Sequence, residues 1–132
     1  MTNPMPPAHF DQLIGLEYKE ITKDGVTATF EITTQLQQPY GILHGGVLCS
    51  VVESVGSVSG ATWFQGAVVG TSNHTNFIKA SRSGVLTARS TPIHRGRSQQ
   101  LWEVEITDEQ GRLIAKGQLR LANLDNTELG SS

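Results

Sequence analysis

Residues 41–53 read GILHGGVLCSVVE, and every position in this stretch except the last is apolar or small, apart from one histidine and one serine. Glu53 is the only formally charged side chain between Glu31 and Lys79. A carboxylate buried without a partner is costly, so a lone acid in an apolar helix is either a defect that the fold tolerates or a group kept for chemistry. The residues around Glu53 favour chemistry.

A long helix is predicted from Val47 to about Trp63. Its apolar stripe at helical spacing consists of Val47, Val51, Val55 and Val58. Because helices disfavour valine slightly, tertiary packing must hold this helix, as when a sheet wraps around it. The length of the segment and its two internal glycines exclude a strand.

The rest of the chain is predicted to be mainly strands. We expect them over residues 16–23, 26–32, 67–80, 84–94, 98–107 and 112–122, after a short helix over 8–14 with Phe10, Leu13 and Ile14 as its apolar side. Asp24-Gly25 is a hairpin turn between the first two strands. Tight turns between the last strands imply a mostly antiparallel sheet. The prediction is an α+β fold in which about six antiparallel strands curl around one long central helix, leaving outer faces or edges for a second subunit.

Length and composition limit the class of protein. The 132 residues suit one domain, which we place at 8–124 between a flexible N-terminal segment at 1–7 and a flexible tail at 125–132. A net charge of −2 gives no general basic surface, so we expect no nucleic-acid partner. The single cysteine, Cys49, cannot form an internal disulfide. With no secretory signal and no apolar run of membrane-spanning length, we expect a cytoplasmic protein without a membrane partner.

The start of the predicted helix could bind developing negative charge. His44, Gly45 and Gly46 lie where backbone N–H groups are unpaired, and glycines let a substrate approach closely. A thioester or ester carbonyl there would be stabilised as its oxygen becomes negative. Glu53 lies about 12 Å further along the axis at 1.5 Å per residue, too far to reach the same carbonyl. It would therefore act on a substrate held by the glycines of another copy of the chain.

The face of the helix that carries Glu53 is otherwise lined by small residues: Gly46, Cys49, Ser50, Gly56, Ser57 and Gly60. Ser57 lies one turn after Glu53, so its hydroxyl can reach the carboxylate. A structural alternative remains, in which small residues permit tight packing and Glu53 bonds to a nearby backbone. In that alternative His44 only caps the helix.

The His44-Gly45-Gly46-Val47 motif with Glu53 nine residues after the histidine resembles the hotdog-fold acyl-CoA thioesterases, in particular the phenylacetate-pathway and aryl-CoA (PaaI-like) branch. The resemblance extends from about Asp11 to Asn123. It implies hydrolysis of an aryl or medium-chain acyl-CoA by a homodimer at least, and a tetramer by analogy. It also implies neither a metal nor a separate cofactor, because coenzyme A is part of the substrate.

The resemblance also implies roles for individual residues. Glu53 would be the nucleophile or the general base, and the Gly45 N–H would bind the carbonyl oxygen. Gln38 would position the carbonyl or the water, and His44 would hold the thioester or the loop. Ser57 would orient the acid.

Coenzyme A brings phosphates, which need a local basic group. The turn His94-Arg95-Gly96-Arg97-Ser98 supplies two arginines, and arginine suits phosphate contacts. Lys79, with Arg82 nearby, ends the preceding long strand, and by resemblance such strand ends line the coenzyme site, together with Asn76. The alternative is that this turn is charged only because turns are solvated.

Two other functions are compatible with the same fold. One is a non-catalytic module that binds acyl-CoA, and the other is a dehydratase or hydratase. The second resembles a different arrangement, built on a histidine set for proton transfer. The spacing of Glu53 from the glycines suits hydrolysis better.

Overall fold

The computed structural model describes residues 9–125, so the predicted flexible segments at 1–7 and 125–132 lie outside it except for Asp125. The elements in chain order are α1 (His9–Ile14), β1 (Glu17–Thr22), β2 (Gly25–Glu31), a 3₁₀ turn (Thr34–Leu36), α2 (Gly45–Phe64), β3 (Val68–Phe77), β4 (Val85–Arg95), β5 (Gln99–Thr107) and β6 (Leu113–Asn123). The predicted helices and strands are all present. α2 begins two residues earlier than predicted because His44, and not Gly46, caps it.

The six strands form one antiparallel sheet in the order β1-β2-β4-β5-β6-β3. α2 contacts every strand of this sheet. The core between them includes Val51, Val52 and Val55 of the helix with Trp102 and Phe30 of the sheet, all of them buried. The predicted α+β architecture of a sheet wrapped around one helix is confirmed.

By length and composition alone, α2 is apolar enough to cross a membrane. This criterion is weak for a single helix, since the core helix of a sheet-wrapped domain meets it as well. Here the apolar stripe of α2 faces the sheet, and Val51, Val52 and Val55 are fully buried. Packing therefore accounts for the hydrophobicity of the helix.

The short helix α1 confirms only part of the predicted burial of its side chains. Ile14 is buried in the core as predicted, but Phe10 and Leu13, expected on the same apolar side, are 56% and 75% exposed, and Asp11 is buried. The Asp11 carboxylate accepts hydrogen bonds from Ser54 Oγ at 2.6 Å and from the Tyr18 hydroxyl at 3.4 Å. A polar contact through Asp11 and an apolar one through Ile14 therefore both hold this helix.

The strand β3 is an edge of the sheet and is largely exposed along its ten residues. Only β6 pairs with it within the described residues. A long exposed edge presents unpaired backbone groups to another chain. The position of β3 matters for the site because it runs beside the Glu53 face of α2.

Candidate active site

The amino end of α2 carries one backbone donor without an acceptor. His44 caps the helix, and its Nδ1 atom accepts from the Gly46 N–H at 2.8 Å. The Val47 N–H donates to the His44 carbonyl at 3.0 Å. Over residues 9–125 the Gly45 N–H has no hydrogen-bond partner, as expected for the first turn of a helix. The predicted donor is therefore available to a ligand.

The cap also defines the tautomer of His44. A neutral imidazole that accepts at Nδ1 carries its proton at Nε2. The side chain of His44 is exposed, so the Nε2–H group can donate to a molecule beside the helix end. His44 therefore caps the helix, and its other ring nitrogen is still available for the predicted contact with a thioester.

A cavity of about 180 Å³ opens beside Gly45. Its wall combines one amide and one ammonium group with apolar side chains, and it includes Gln38, Gly45, Leu48, Phe77, Lys79 and Ile114. Ligand pockets usually measure about 300–1,000 Å³, so this one is small for a whole substrate. The predicted residues Gln38 and Gly45 do line one cavity.

The loop that holds Gln38 is fixed by its own backbone. The Gln38 N–H donates to the Ile42 carbonyl at 2.8 Å, and the Gln38 carbonyl accepts from the Gly41 N–H at 2.9 Å. The Arg82 guanidinium donates to the Tyr40 carbonyl at 3.1 Å. Arg82, which the sequence suggested as a basic group near the coenzyme, thus fastens the loop that carries Gln38.

Glu53 is exposed in the single chain, so its predicted burial is wrong. The apolar segment around it faces the sheet, but Glu53 lies on the opposite side of the turn from Val51, Val52 and Val55. Its carboxylate lies against β3, with Oε2 3.4 Å from the point where a side chain on Gly70 would begin. Ser57, one turn on, is half-buried and makes no hydrogen bond to Glu53 among the described residues.

Residues of β3 that face α2 lie beside both Glu53 and Gly45. Gly70 lies next to Glu53, and Phe77 lies next to Gly45. Between them the Asn73 side chain donates to the Cys49 carbonyl at 2.9 Å. Within one chain, Glu53 and Gly45 therefore contact different ends of β3, at Gly70 and at Phe77.

The residues predicted to bind coenzyme A fall into two groups at opposite ends of the sheet. Phe77 pairs with Ala115 and Val68 with Asn123, so Asn76 and Lys79 lie at the end near Gly45. The His94–Ser98 turn lies at the other end, where Asn123 donates to the Gly96 and Arg97 carbonyls at 3.1 and 3.0 Å. One chain does not bring these two groups together.

Arg95 and Arg97 differ sharply within that turn. The Arg95 guanidinium donates to Asp24 at 2.9 Å and to the Lys23 carbonyl at 3.0 Å, and it stacks 5.7 Å from the centre of the Trp63 ring. These contacts hold the Arg95 side chain against the β1–β2 hairpin. Arg97 is exposed, and its guanidinium has no partner over residues 9–125.

Sequence reasoning missed the contact between Phe77 and Gly45. A bulge between Gly70 and Ser72 shifts the alternation of side chains along β3, so the face of each residue cannot be read by counting in twos. A strand that carries both Gly70 and Phe77 toward one helix could be recognised only once the bulge was seen.

Comparison with known proteins assigns the family. Residues 40–115 match the family model described as the thioesterase superfamily. A provisionally named esterase of Mycobacterium tuberculosis is 41% identical over 121 residues, which cover 88% of this chain and 86% of that protein. The 1,4-dihydroxy-2-naphthoyl-CoA hydrolase of Escherichia coli is 33% identical over 124 residues, covering 92% and 91% of the two chains. The proofreading thioesterase EntH of Cronobacter turicensis is 36% identical over 111 residues, covering 83% and 81%.

Solved structures agree with this assignment. The M. tuberculosis esterase superposes with a TM-score of 0.88 over 89% of this chain and 98% of its own. AziG of S. sahachiroi, at 44% identity, also gives 0.88 and covers 90% and 98%. The PaaI protein of E. coli shares the fold, with a TM-score of 0.84 at 19% identity over 89% and 86% of the two chains. The chain therefore belongs to the thioesterase superfamily and is a hotdog-fold thioesterase that shares its fold with PaaI.

Proposed function

We propose that this enzyme hydrolyses an acyl-CoA with an aryl or medium-chain acyl group to the free acid and coenzyme A. The free Gly45 N–H at the end of a partly apolar cavity is the observation that carries the proposal. Two relatives with more than 30% identity are named for CoA-ester or thioester hydrolysis, which supports the substrate class.

The chemistry follows from the groups around the cavity. The thioester oxygen accepts from the Gly45 N–H, which stabilises the negative charge that forms as the carbonyl carbon is attacked. As a general base, Glu53 takes a proton from water while the hydroxide adds to that carbon. The C–S bond then breaks, and the thiolate of coenzyme A takes the proton. As a nucleophile, Glu53 would attack that carbon and expel the coenzyme A thiolate to form a mixed anhydride, and water would then hydrolyse the anhydride to the free acid and Glu53, giving up a proton to the thiolate. Both routes give the same products.

A shared site between two copies reconciles the separation of Glu53 from Gly45. Glu53 lies beside Gly70, and Gly45 lies beside Phe77. Antiparallel pairing of β3 with its copy, centred on His74 and with the bulge between Gly70 and Ser72 kept in both strands, sets Gly70 of one chain opposite Phe77 of the other. Each carboxylate then approaches the amide donor of its mate. The exposed edge of β3 supports this pairing.

The exposed apolar side chains support the same register. Val69 is 47% exposed and Ile78 is 52% exposed. A register that opposes Gly70 with Phe77 also opposes Val69 with Ile78, on the face of the strand away from α2. Their contact would remove apolar surface from water at both ends of the pairing.

The same dimer would reunite the two groups of coenzyme-binding residues. Antiparallel pairing places the His94–Ser98 turn of one chain at the end of the sheet that carries Lys79 and Asn76 of the other. Arg97 has the free guanidinium there, and arginine can contact a phosphate with two parallel hydrogen bonds. A tetramer of two such dimers and a cytoplasmic location remain predictions.

The Gly45 N–H can be deleted almost by itself. Proline is tolerated at the first position of a helix, and the extended backbone of His44 (φ −69°, ψ 132°) is one that a following proline permits. Gly45→Ala is the matched control, because it adds a similar Cβ beside Phe77 but keeps the N–H. We expect Gly45→Pro to lower kcat by about 10²–10³ relative to Gly45→Ala, measured as thiol release from benzoyl-CoA.

Two outcomes would contradict the proposal. Equal rates for Gly45→Pro and Gly45→Ala would show that the Gly45 N–H does not take part in catalysis. A wild-type protein that binds CoA esters but releases no thiol from aryl, short-chain or long-chain substrates would instead be the non-catalytic binding module.

A further inference from the structure

The Phe77 ring has an unusual position for an aromatic side chain at the end of an edge strand. It is 57% exposed, yet its Cε2 and Cζ atoms lie 2.7 and 2.8 Å from where a Cβ on Gly45 would stand. The ring therefore packs directly over the residue whose N–H is free. Of the side chains that line the cavity, Phe77 is the only aromatic one among the described residues.

A substrate that binds the Gly45 N–H comes close to this ring. When a thioester oxygen accepts from that N–H at about 2.9 Å, the carbonyl carbon and the first acyl atoms lie within a few ångströms of Gly45. Phe77 covers this residue on the side of β3. The exposed face of the ring is thus a surface against which the acyl group can lie.

We propose that Phe77 determines acyl specificity by providing an aromatic wall on which a planar aryl acyl group stacks beside Gly45. This inference rests on the proposed hydrolysis of acyl-CoA and adds a residue and a preference to it. Aromatic pairs gain energy beyond the burial of their area, which an alkyl chain on the same ring does not. The other apolar walls, including Leu48 and Ile114, are aliphatic and give no such preference.

The test compares two CoA esters that share the whole coenzyme and differ only in the acyl group, benzoyl-CoA and hexanoyl-CoA. Wild-type kcat/KM should be higher for benzoyl-CoA. Phe77→Leu should lower the ratio of benzoyl to hexanoyl kcat/KM by about two- to twelvefold, the range expected for one aromatic pair. Phe77→Tyr keeps the ring and should keep the ratio.

Controls separate specificity from folding. Phe10→Leu changes another exposed aromatic side chain, on α1, and should leave the ratio unchanged. If Phe77→Leu does not fold, Phe77→Met is measured in its place with the same expected loss. An unchanged ratio in the folded variant overturns the inference while leaving the hydrolase assignment intact, whereas absence of thiol release from both esters by the wild type overturns the proposed function.

Discussion

The two halves of α2 differ in whether the polar groups around them have hydrogen-bond partners. At the carboxyl end, the buried Gln100 side chain accepts from the Trp102 indole at 2.7 Å and donates to the Gly60 carbonyl at 3.2 Å and to Asn123 at 2.7 Å. At the amino half, the Gly45 N–H has no partner over residues 9–125, and Glu53 is exposed. One helix thus has a closed end that stabilises the fold and an open half that can bind and react.

The closed end also holds a charged residue. Arg95 is fixed there by Asp24 and by stacking on Trp63 and Trp102. Over the described residues, no buried side-chain polar atom lacks a hydrogen bond. Among the side chains of residues 9–125, polar atoms without a hydrogen bond are therefore limited to positions that solvent reaches, where a ligand or a partner could bind them.

The largest effect should come from the open half. Glu53→Gln keeps the shape of the side chain and removes its charge, so kcat for CoA esters should fall by about 10³-fold or more, with a smaller change in binding. Because Glu53 is exposed, the free energy of unfolding should change by less than about 0.5 kcal/mol. A variant that remains fully active would show that another group activates the water.

The pairing of β3 can be tested through its exposed apolar ends. Val69→Lys should dissociate the dimer, because it sets an ammonium group against Ile78 of the partner, and hydrolysis should fall with it. Adding Ile78→Glu should restore both the dimer and part of the activity through a cross-strand ion pair. Sedimentation and thiol release on the same samples measure both. Failure of the double variant to recover would reject this register.

A substitution at the closed end should lower the stability of the protein and leave the catalytic rate unchanged. Gln100→Leu fills a similar volume but leaves the buried Trp102 N–H without an acceptor and the Asn123 side-chain oxygen without its donor. Each unsatisfied buried group costs about 1–3 kcal/mol, so we expect a loss of about 3 kcal/mol in urea unfolding. The kcat of the folded variant should stay near that of the wild type. A large fall in kcat at unchanged stability would contradict the assignment of the closed end to stability and of the open half to catalysis.

The two arginines of one turn give a smaller contrast. Arg97→Ala should raise KM for CoA esters by about five- to tenfold by removing a charge-assisted contact with a phosphate, and it should spare thioesters that lack the nucleotide. Arg95→Ala should leave KM unchanged and lower stability by about 1 kcal/mol through loss of its contacts with Asp24 and Trp63. Equal losses on both substrates in Arg97→Ala would exclude its phosphate contact.

The smallest effect concerns alkaline pH. Burial, followed by the nearby Asp11 carboxylate, raises the pKa of Tyr18 above its usual value of 10.0. Because the folded state holds this proton more tightly than the unfolded state, stability is complete below pH 10 and declines as the pH rises above it. Tyr18→Phe should therefore lose less stability than the wild type between pH 10 and 11, measured by urea unfolding. Parallel curves for the two proteins would contradict the raised pKa.

The sequence predicts the fold well because its local signals agree. The valine stripe from Val47 to Val58, the Asp24-Gly25 turn and the alternating strands all favour one architecture, and the structure has it. The His44-Gly45-Gly46 motif likewise predicts an unpaired N–H at the amino end of α2, and over residues 9–125 the Gly45 N–H has no partner.

The errors arise where the sequence does not show which other elements pack around a residue. Counting charges around Glu53 predicts burial, but a helix on a sheet buries only one side of each turn, and the Glu53 side lies by an edge strand. Arg95 and Arg97 look equivalent in sequence, yet within residues 9–125 only Arg95 contacts Asp24 and stacks on Trp63. Packing across elements, and not composition, decides both cases.

The central claim is that the acid and the amide donor of one active site come from different copies of the chain. The most direct measurement mixes Glu53→Gln and Gly45→Pro chains by co-refolding and assays thiol release from benzoyl-CoA. Random pairing makes half of the dimers mixed, each with one complete site, so about a quarter of the wild-type activity should return from two inactive parents. A mixture as inactive as its parents would place both groups in one chain and contradict the account.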